Sequence, residues 1–194
     1  LLFALEALGS AAEGALLAPI EHGAEVWGSG VTYLRSRDAR KAESATADVY
    51  QKVYEAERPE IFFKAPGWRV SGPGVPVRIR KDTRWNVPEP ELTLVINTHN
   101  EIVGYTVGND FTARDIQRKD GQWTRGKGFD TFCPLGPAIE TDFEPSTARI
   151  ETRVNGEVRQ QAPLTDMIHS VADIIAYASA AFTLLPGDVI MTGT

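Results

Sequence analysis

Residues 85–117 read WNVPEPELTLVINTHNEIVGYTVGNDFTARDIQ, and the acids Glu89, Glu91 and Asp110 within them have the spacing of a metal site. Glu89 and Glu91 are one residue apart and lead into LTLVI, a short apolar, β-branched run that predicts a strand. Alternate residues of a strand point to one side, so the two carboxylates share a face. THNE then reads as a polar turn and IVGYTVG as the returning strand of a hairpin, which leaves Asp110 at its end beside the glutamates. Carboxylates gathered this way repel unless they are protonated or neutralised, and hard oxygen donors suit Mg²⁺, with Mn²⁺ or Ca²⁺ as alternatives. Against this, a bare Glu-x-Glu at a strand end is more often a pair of solvated charges. Pro88 and Pro90 also mark an irregular or edge entry to the strand.

The chain that must position these acids has 194 residues, enough for one domain with a sizeable core. Hydrophobic and charged contents of 42% and 24% place it among soluble globular chains rather than disordered ones. A formal net charge of -6 excludes a basic nucleic-acid footprint, so an anionic substrate must be met by local cations. Cys133 is the single cysteine, which rules out an intramolecular disulfide and fits a reducing, cytoplasmic setting. In FDTFCPLGP it reads as a small buried hydrophobe, with a nucleophile as the weaker alternative. No apolar run approaches a membrane span. The opening LLFALEALGSAAEGALLAP is broken by Glu6 and Glu13 and has no basic start, so it predicts a helix and loop, not a signal peptide.

Further along, VWGSGVTYL predicts a strand with a Gly-rich turn, and residues 35–57 are charged and helix-prone, either a solvated helical face or a mobile cover. WRVSGPGVPVRIRKDTRW predicts turns joining short strands, with Arg78 and Arg80 solvent-facing on a half-buried strand that alternates with Val77 and Ile79. RKDGQWTRGKGF predicts a polar loop presenting Lys127. Asn155-Gly156 between RIETRV and EVRQQ predicts a two-residue hairpin. Thr165 or Asp166 is expected to cap a helix whose apolar face is Ile168, Val171, Ile174, Ile175 and Ala178, and LLPGD turns the chain into a last strand, DVIMTG. The expected fold is α+β, predominantly β, a mixed β-roll or sandwich with peripheral helices. One catalytic domain over 25–194 follows a remnant over 1–24, read as part of a small N-terminal domain, and the chain is expected to continue past Thr194.

The blocks WNVPEPELTLVI, GYTVGNDFTARDIQ, GKGFDTFCPLGP and LLPGDVIMTGT follow in order over more than half the chain, and this series resembles the fumarylacetoacetate hydrolase superfamily. The resemblance implies that Glu89, Glu91 and Asp110 bind Mg²⁺ or a similar ion, that Arg114, Gln117 and Thr194 face the substrate, and that Lys127 sits in the active site. It also implies a lid over the metal at residues 35–57 and a homodimer or larger homo-oligomer. Hydrolytic members carry a pattern like N-Y-x-x-H whose His activates water. Here Thr32, Tyr33, Leu34, Arg35 and Ser36 stand in its place, and Ser36 replaces the His. His22, His99 and His169 are the only histidines, and each reads as structural or exposed.

TYLRSRDAR with DVYQKVYEAERPEIFFK is similar to the sugar-acid branch, the 2-dehydro-3-deoxy-D-arabinonate dehydratases, from residue 26 onward. What this implies is a Mg²⁺-dependent lyase acting on a small 2-keto-3-deoxy acid to give 2,5-dioxopentanoate, with no nucleic-acid or membrane partner. A cation polarises the 2-keto group, a base takes a proton from the adjacent methylene, and an acid helps hydroxide leave the next carbon. Glu60 and Lys127 are the candidates for these two proton-transfer roles, in either order. The alternatives are a C-C hydrolase of an acylpyruvate or fumarylacetoacetate-like diketone, and a non-catalytic sugar-acid binder.

Overall fold

The computed structural model describes residues 16–30, 32–36 and 55–194. The expected opening helix falls mainly on residues 1–15 and the expected lid mainly on 37–54, both outside the described residues. The expected α+β, β-dominated architecture is what the chain forms. Six strands make one mixed sheet in the order β2-β1-β10-β4-β5-β7. They are β1 (Glu25–Gly30), β2 (Glu60–Pro66), β4 (Pro90–Ile96), β5 (Ile102–Asn109), β7 (Leu135–Glu140) and β10 (Val189–Met191). β10 lies parallel to β1 and antiparallel to β4, wedged between them.

The hairpin read from the sequence is β4 and β5, antiparallel, with Glu91 opposite Gly108 and Leu94 opposite Tyr105. Period-two alternation sends Leu92, Leu94, Ile96 and Ile190 to one face, where they meet Ile174, Ile175 and Ala178 of the helix α3 (Val171–Ala181). Val95, Val189 and Met191 point to the other face, against Ala65, Cys133 and Leu135. Burial pushes the Cys133 thiol up to about 12, as a small core hydrophobe requires. Burying each large aliphatic side chain contributes about 1.5–3 kcal/mol, so this two-sided packing fixes β4 rigidly where it carries the glutamates.

Smaller pairs flank the sheet. β3 (Asn86–Val87) pairs with β6 (Thr112–Ala113), and the Asn-Gly turn joins β8 (Arg149–Val154) to β9 (Glu157–Pro163) as predicted. Residues 16–24 run against the loop after β2, where the Gly67 and Trp68 amides donate to the Ala24 and His22 carbonyls at 2.6 and 3.2 Å.

Three local expectations are corrected. α3 starts at Val171 and is capped by Ser170, not by Thr165 or Asp166. Ser170 Oγ accepts from the Asp173 amide at 3.1 Å while Asp173 Oδ2 accepts from the Ser170 amide at 3.2 Å, a reciprocal pair that needs the acid three residues on. Thr165 and Asp166 are used in a 3-10 turn, Leu164–Asp166. Arg78 and Arg80 are exposed, but residues 75–80 form no strand. Pro76 lacks a donor, a turn at Pro73 and Gly74 precedes it, and the Arg78 amide is satisfied by Thr131 Oγ1 at 2.8 Å. Finally, the segment expected as a polar loop is helical: α1 (Arg114–Asp120) and α2 (Trp123–Lys127) stand back to back, and Lys127 ends the second.

Candidate metal centre

Glu89 precedes β4, Glu91 is on it, and Asp110 follows β5, so the hairpin returns the aspartate to the glutamates. The Asp110 amide donates to the Glu89 carbonyl at 2.8 Å, which fixes that return. Each of the three offers a carboxylate oxygen, and these oxygens lie within 4.8 Å of one another, with all three residues buried. The spacing argument therefore holds, and the solvated-charge alternative does not describe these side chains. An all-carboxylate donor set of this size fits a small hard cation such as Mg²⁺ or Mn²⁺.

Cations surround the acids. Lys127 Nζ donates to Glu89 Oε2 at 2.6 Å, to Thr112 Oγ1 at 2.8 Å and to Asp110 Oδ2, which uses all its donors. Arg114 Nη2 donates to Glu89 Oε1 at 2.5 Å, and its Nη1 donates to Gln117 Oε1 at 3.1 Å. Arg114 and Gln117 lie three apart on α1 and so share a face. Gly126 brings α2 onto α1, since a Cβ there would lie 2.8 Å from the Gln117 Cβ; this contact sets Lys127 against the acids. Gly193, at φ +92°, aims its amide at Glu91 Oε2, 2.8 Å away. Thr194 beside it accepts from Gln160 Nε2 of β9 at 2.5 Å.

A further member, Lys64, was not singled out from the sequence. It is fully buried in β2, and its Nζ contacts Asp110 Oδ1 at 2.7 Å, the Phe111 carbonyl at 3.0 Å and the Lys127 carbonyl at 2.6 Å. Trp27 pairs with Phe63 and Val26 with Ala65, so Lys64 is the extra residue of a bulge, and the bulge re-aims it. The signal was a lone charge in the apolar run IFFKAP.

Burial first, then the Asp110 carboxylate, holds Glu91 well above the usual carboxylate range. For Lys127 burial works against the charge, but Asp110 and Glu89 outweigh it, and the ammonium keeps its proton more tightly than a free lysine. In this arrangement Lys127 is a donor. The carboxylates of Glu89, Glu91 and Asp110 are matched in number by Lys64, Arg114 and Lys127, so a divalent ion added here leaves room for an anionic ligand.

A cavity of about 350 Å³ opens beside the acids, with Tyr33, Arg35, Ser36, Glu89, Arg114 and Thr194 on its wall. Ser36, where hydrolytic relatives are expected to place a His, thus faces the site, and none of His22, His99 and His169 lines it. Glu60 stands apart. It is the first residue of β2, 38% exposed at its side chain and 3.4 Å from Arg58 Nη1. β1 and β10 separate β2 from β4, about 14 Å at ordinary strand spacing. Glu60 shares a strand face with Phe62, whose ring centroid is 5.1 Å from Lys127 Nζ.

The centre is thus a hairpin-borne carboxylate cluster with buried lysines, set at one end of a mixed sheet. The chain belongs to the fumarylacetoacetate (FAA) hydrolase family, whose C-terminal domain pattern matches residues 25–194. Among its relatives, a probable 2-keto-3-deoxyxylonate dehydratase of Haloferax volcanii is 39% identical over 178 residues, 88% of this chain and 61% of that protein. The crystal structure of a 5-carboxymethyl-2-hydroxymuconate delta-isomerase from Mycobacterium smegmatis superposes with a TM-score of 0.77 at 42% identity, covering 93% of this chain and 70% of that one. A 2-keto-3-deoxy-D-arabinonate dehydratase complexed with magnesium and 2,5-dioxopentanoate gives 0.73 at 32% identity, covering 89% and 62%. The chain spans 56%, 62% and 61% of the lengths of three curated relatives. Among the described residues no helix is long and apolar enough to cross a membrane.

Proposed function

We propose that this chain is the catalytic part of a Mg²⁺-dependent dehydratase of a 2-keto-3-deoxy sugar acid, turning 2-dehydro-3-deoxy-D-arabinonate into 2,5-dioxopentanoate. The observation that carries the reading is the cavity wall. It combines guanidinium groups of Arg35, Arg114 and Arg159 with the amides of Gln160 and Gln161 and has no histidine, which suits a hydroxylated anion better than an apolar diketone. Mn²⁺ or Ca²⁺ would satisfy the same oxygens. A cation held by Glu89, Glu91 and Asp110 would supply a Lewis acid for the carboxylate and keto oxygens of the substrate.

The chain's own residues do the rest in this reading. Arg114, Gln117 and Thr194 orient the acid. Lys127, whose three donors are taken by Glu89, Asp110 and Thr112, would reach a substrate oxygen by giving up one of these bonds, as a cation held by the acids would require. Glu60 is the candidate for the other role; it is not on the cavity wall, so this role requires it to leave Arg58 and the substrate to extend toward the end of β2. The reading carries with it a cytoplasmic homodimer or larger homo-oligomer, which light scattering would test. The likeness to the muconate isomerase favours a second reading, a proton-shifting or C-C-cleaving enzyme acting on a related diketo acid.

The test is turnover by the full-length, chelator-stripped protein on 2-keto-3-deoxy-D-arabinonate and on an acylpyruvate, each with and without Mg²⁺. Aldehyde formed from the sugar acid only with metal supports the dehydratase. Pyruvate from the acylpyruvate instead favours the second reading. Alanine at Lys127 or Glu60 should collapse turnover in an enzyme. Unchanged sugar-acid affinity with no turnover even in the unmutated protein would mark a binder.

A further inference from the structure

We propose that the phenol of Tyr33 is a substrate-binding group of this cavity, donating its hydrogen to an oxygen of the bound acid. This rests on the 2-keto-acid reading above and adds to it a residue that neither the carboxylate spacing nor the family blocks assign. Tyr33 is 2% exposed and lines the cavity, yet its hydroxyl is buried without a hydrogen-bond partner among the described residues. Buried tyrosine hydroxyls ordinarily find a partner, because an unmade bond leaves the desolvation of the group uncompensated.

The ring is not loosely placed. Tyr33 forms a β-bridge with Met167, the Ile168 amide donates to the Thr32 carbonyl at 2.7 Å, and Thr32 Oγ1 donates to the Thr192 carbonyl at 2.5 Å. The same ties join it to the strand end that carries Gly193 and Thr194. A side chain clamped from both directions with an idle donor is preorganised for a ligand. The partner it wants is an acceptor. Burial first, then the carboxylates of Glu91 and Asp166, holds the phenol above its ordinary range, so it keeps its hydrogen. Arg114, on the same wall, has a buried Nε that also lacks a partner among the described residues. Two residues of one cavity wall thus each hold a buried donor without a partner among the described residues, and an oxygen-rich anion, which a hydroxylated 2-keto acid is, carries the acceptors they lack.

As a mere core filler Tyr33 would be served as well by Phe, which gives the experiment its sign. The full-length protein and Tyr33→Phe would be melted with Mg²⁺ alone and with Mg²⁺ plus pyruvate, oxalate or 2-keto-3-deoxy-D-arabinonate. Affinities for each acid would be measured by calorimetry. The expected result is a variant at least as stable as the parent with Mg²⁺ alone, whose affinity for the sugar acid and whose kcat/KM are both about tenfold lower. Affinity and kcat/KM within about twofold of the parent would overturn the proposal, and so would a less stable or unfolded variant, which would give the hydroxyl a structural partner. If the parent itself binds none of the acids, the 2-keto-acid reading fails and the proposal fails with it. Parent binding with an unaffected variant removes Tyr33 alone.

Discussion

The two sides of β4 are held together by different physics. Leu92, Leu94 and Ile96 pack onto α3 through area alone, and each contact is one of many. At the strand's other end Glu91, with Glu89 and Asp110, is buried among Lys64, Arg114 and Lys127, where nearly every donor has one specific acceptor. The apolar side should therefore degrade gradually under mutation. The charged side should fail abruptly, because removing one ion leaves its partner buried and uncompensated.

The largest test of that contrast is Lys64→Met, which keeps the volume and strips one cation from Asp110. A loss of about 3–5 kcal/mol in chemical denaturation is expected, partly recovered by Mg²⁺. A loss below about 1 kcal/mol would mean that the cluster is not held by charge. Ile174→Ala on the apolar side should cost about 3 kcal/mol while leaving the Mg²⁺-induced rise in melting temperature intact. Coupling between these two variants would break the division.

Mg²⁺ at about a hundred times its Kd should stabilise the protein by about 2.7 kcal/mol. Its effect should depend on pH in a definite direction. Glu91 is raised in the folded protein, so its contribution to stability is full below the ordinary carboxylate range and is lost as pH rises through the raised value. Metal-free protein should thus lose stability on going from about pH 5 to about pH 8, and Mg²⁺, which competes with the proton, should restore more at the higher pH. Equal metal-induced shifts in differential scanning fluorimetry at both pH values would contradict this. The smallest effect, about 1 kcal/mol, is expected from Ser170→Ala, which removes the α3 cap without touching any charge of the cluster.

The acids were legible because a strand alternates: one residue between Glu89 and Glu91 puts both on one side whatever else the fold does. Asp110 was legible because the hairpin was. Lys64 was not, since its aim comes from a bulge, and nothing in IFFKAP says which residue is the extra one. Lys127 was expected on a loop. RKDGQWTRGKGF is dominated by Gly and polar residues, but the close approach of Gly126 to Gln117 holds it in helical turns that local composition does not favour. The α3 cap was misplaced because Thr165, Asp166 and Ser170 all qualify by type, and only the acid at Asp173 separates them. At residues 75–80 β-branched alternation suggested a strand, but a strand also needs a neighbour, and Pro76 with the preceding turn leaves none. Tyr33 carries no signal of its own in TYLRS, where the pattern's histidine is replaced by Ser36.

The position of β10 bears on how the protein is made. A strand near residue 190 sits in the middle of the sheet, between one near residue 28 and one near residue 93. A ribosome emits the chain in order, so the β4-β5 hairpin can form early, while the β2-β1 pair must wait with an open edge until residues 189–191 emerge. The Gly193 amide reaches Glu91 only then. On a nascent chain the carboxylates therefore exist before the centre does, and the centre is completed only when residues 189–193 emerge and the inserted strand closes the sheet.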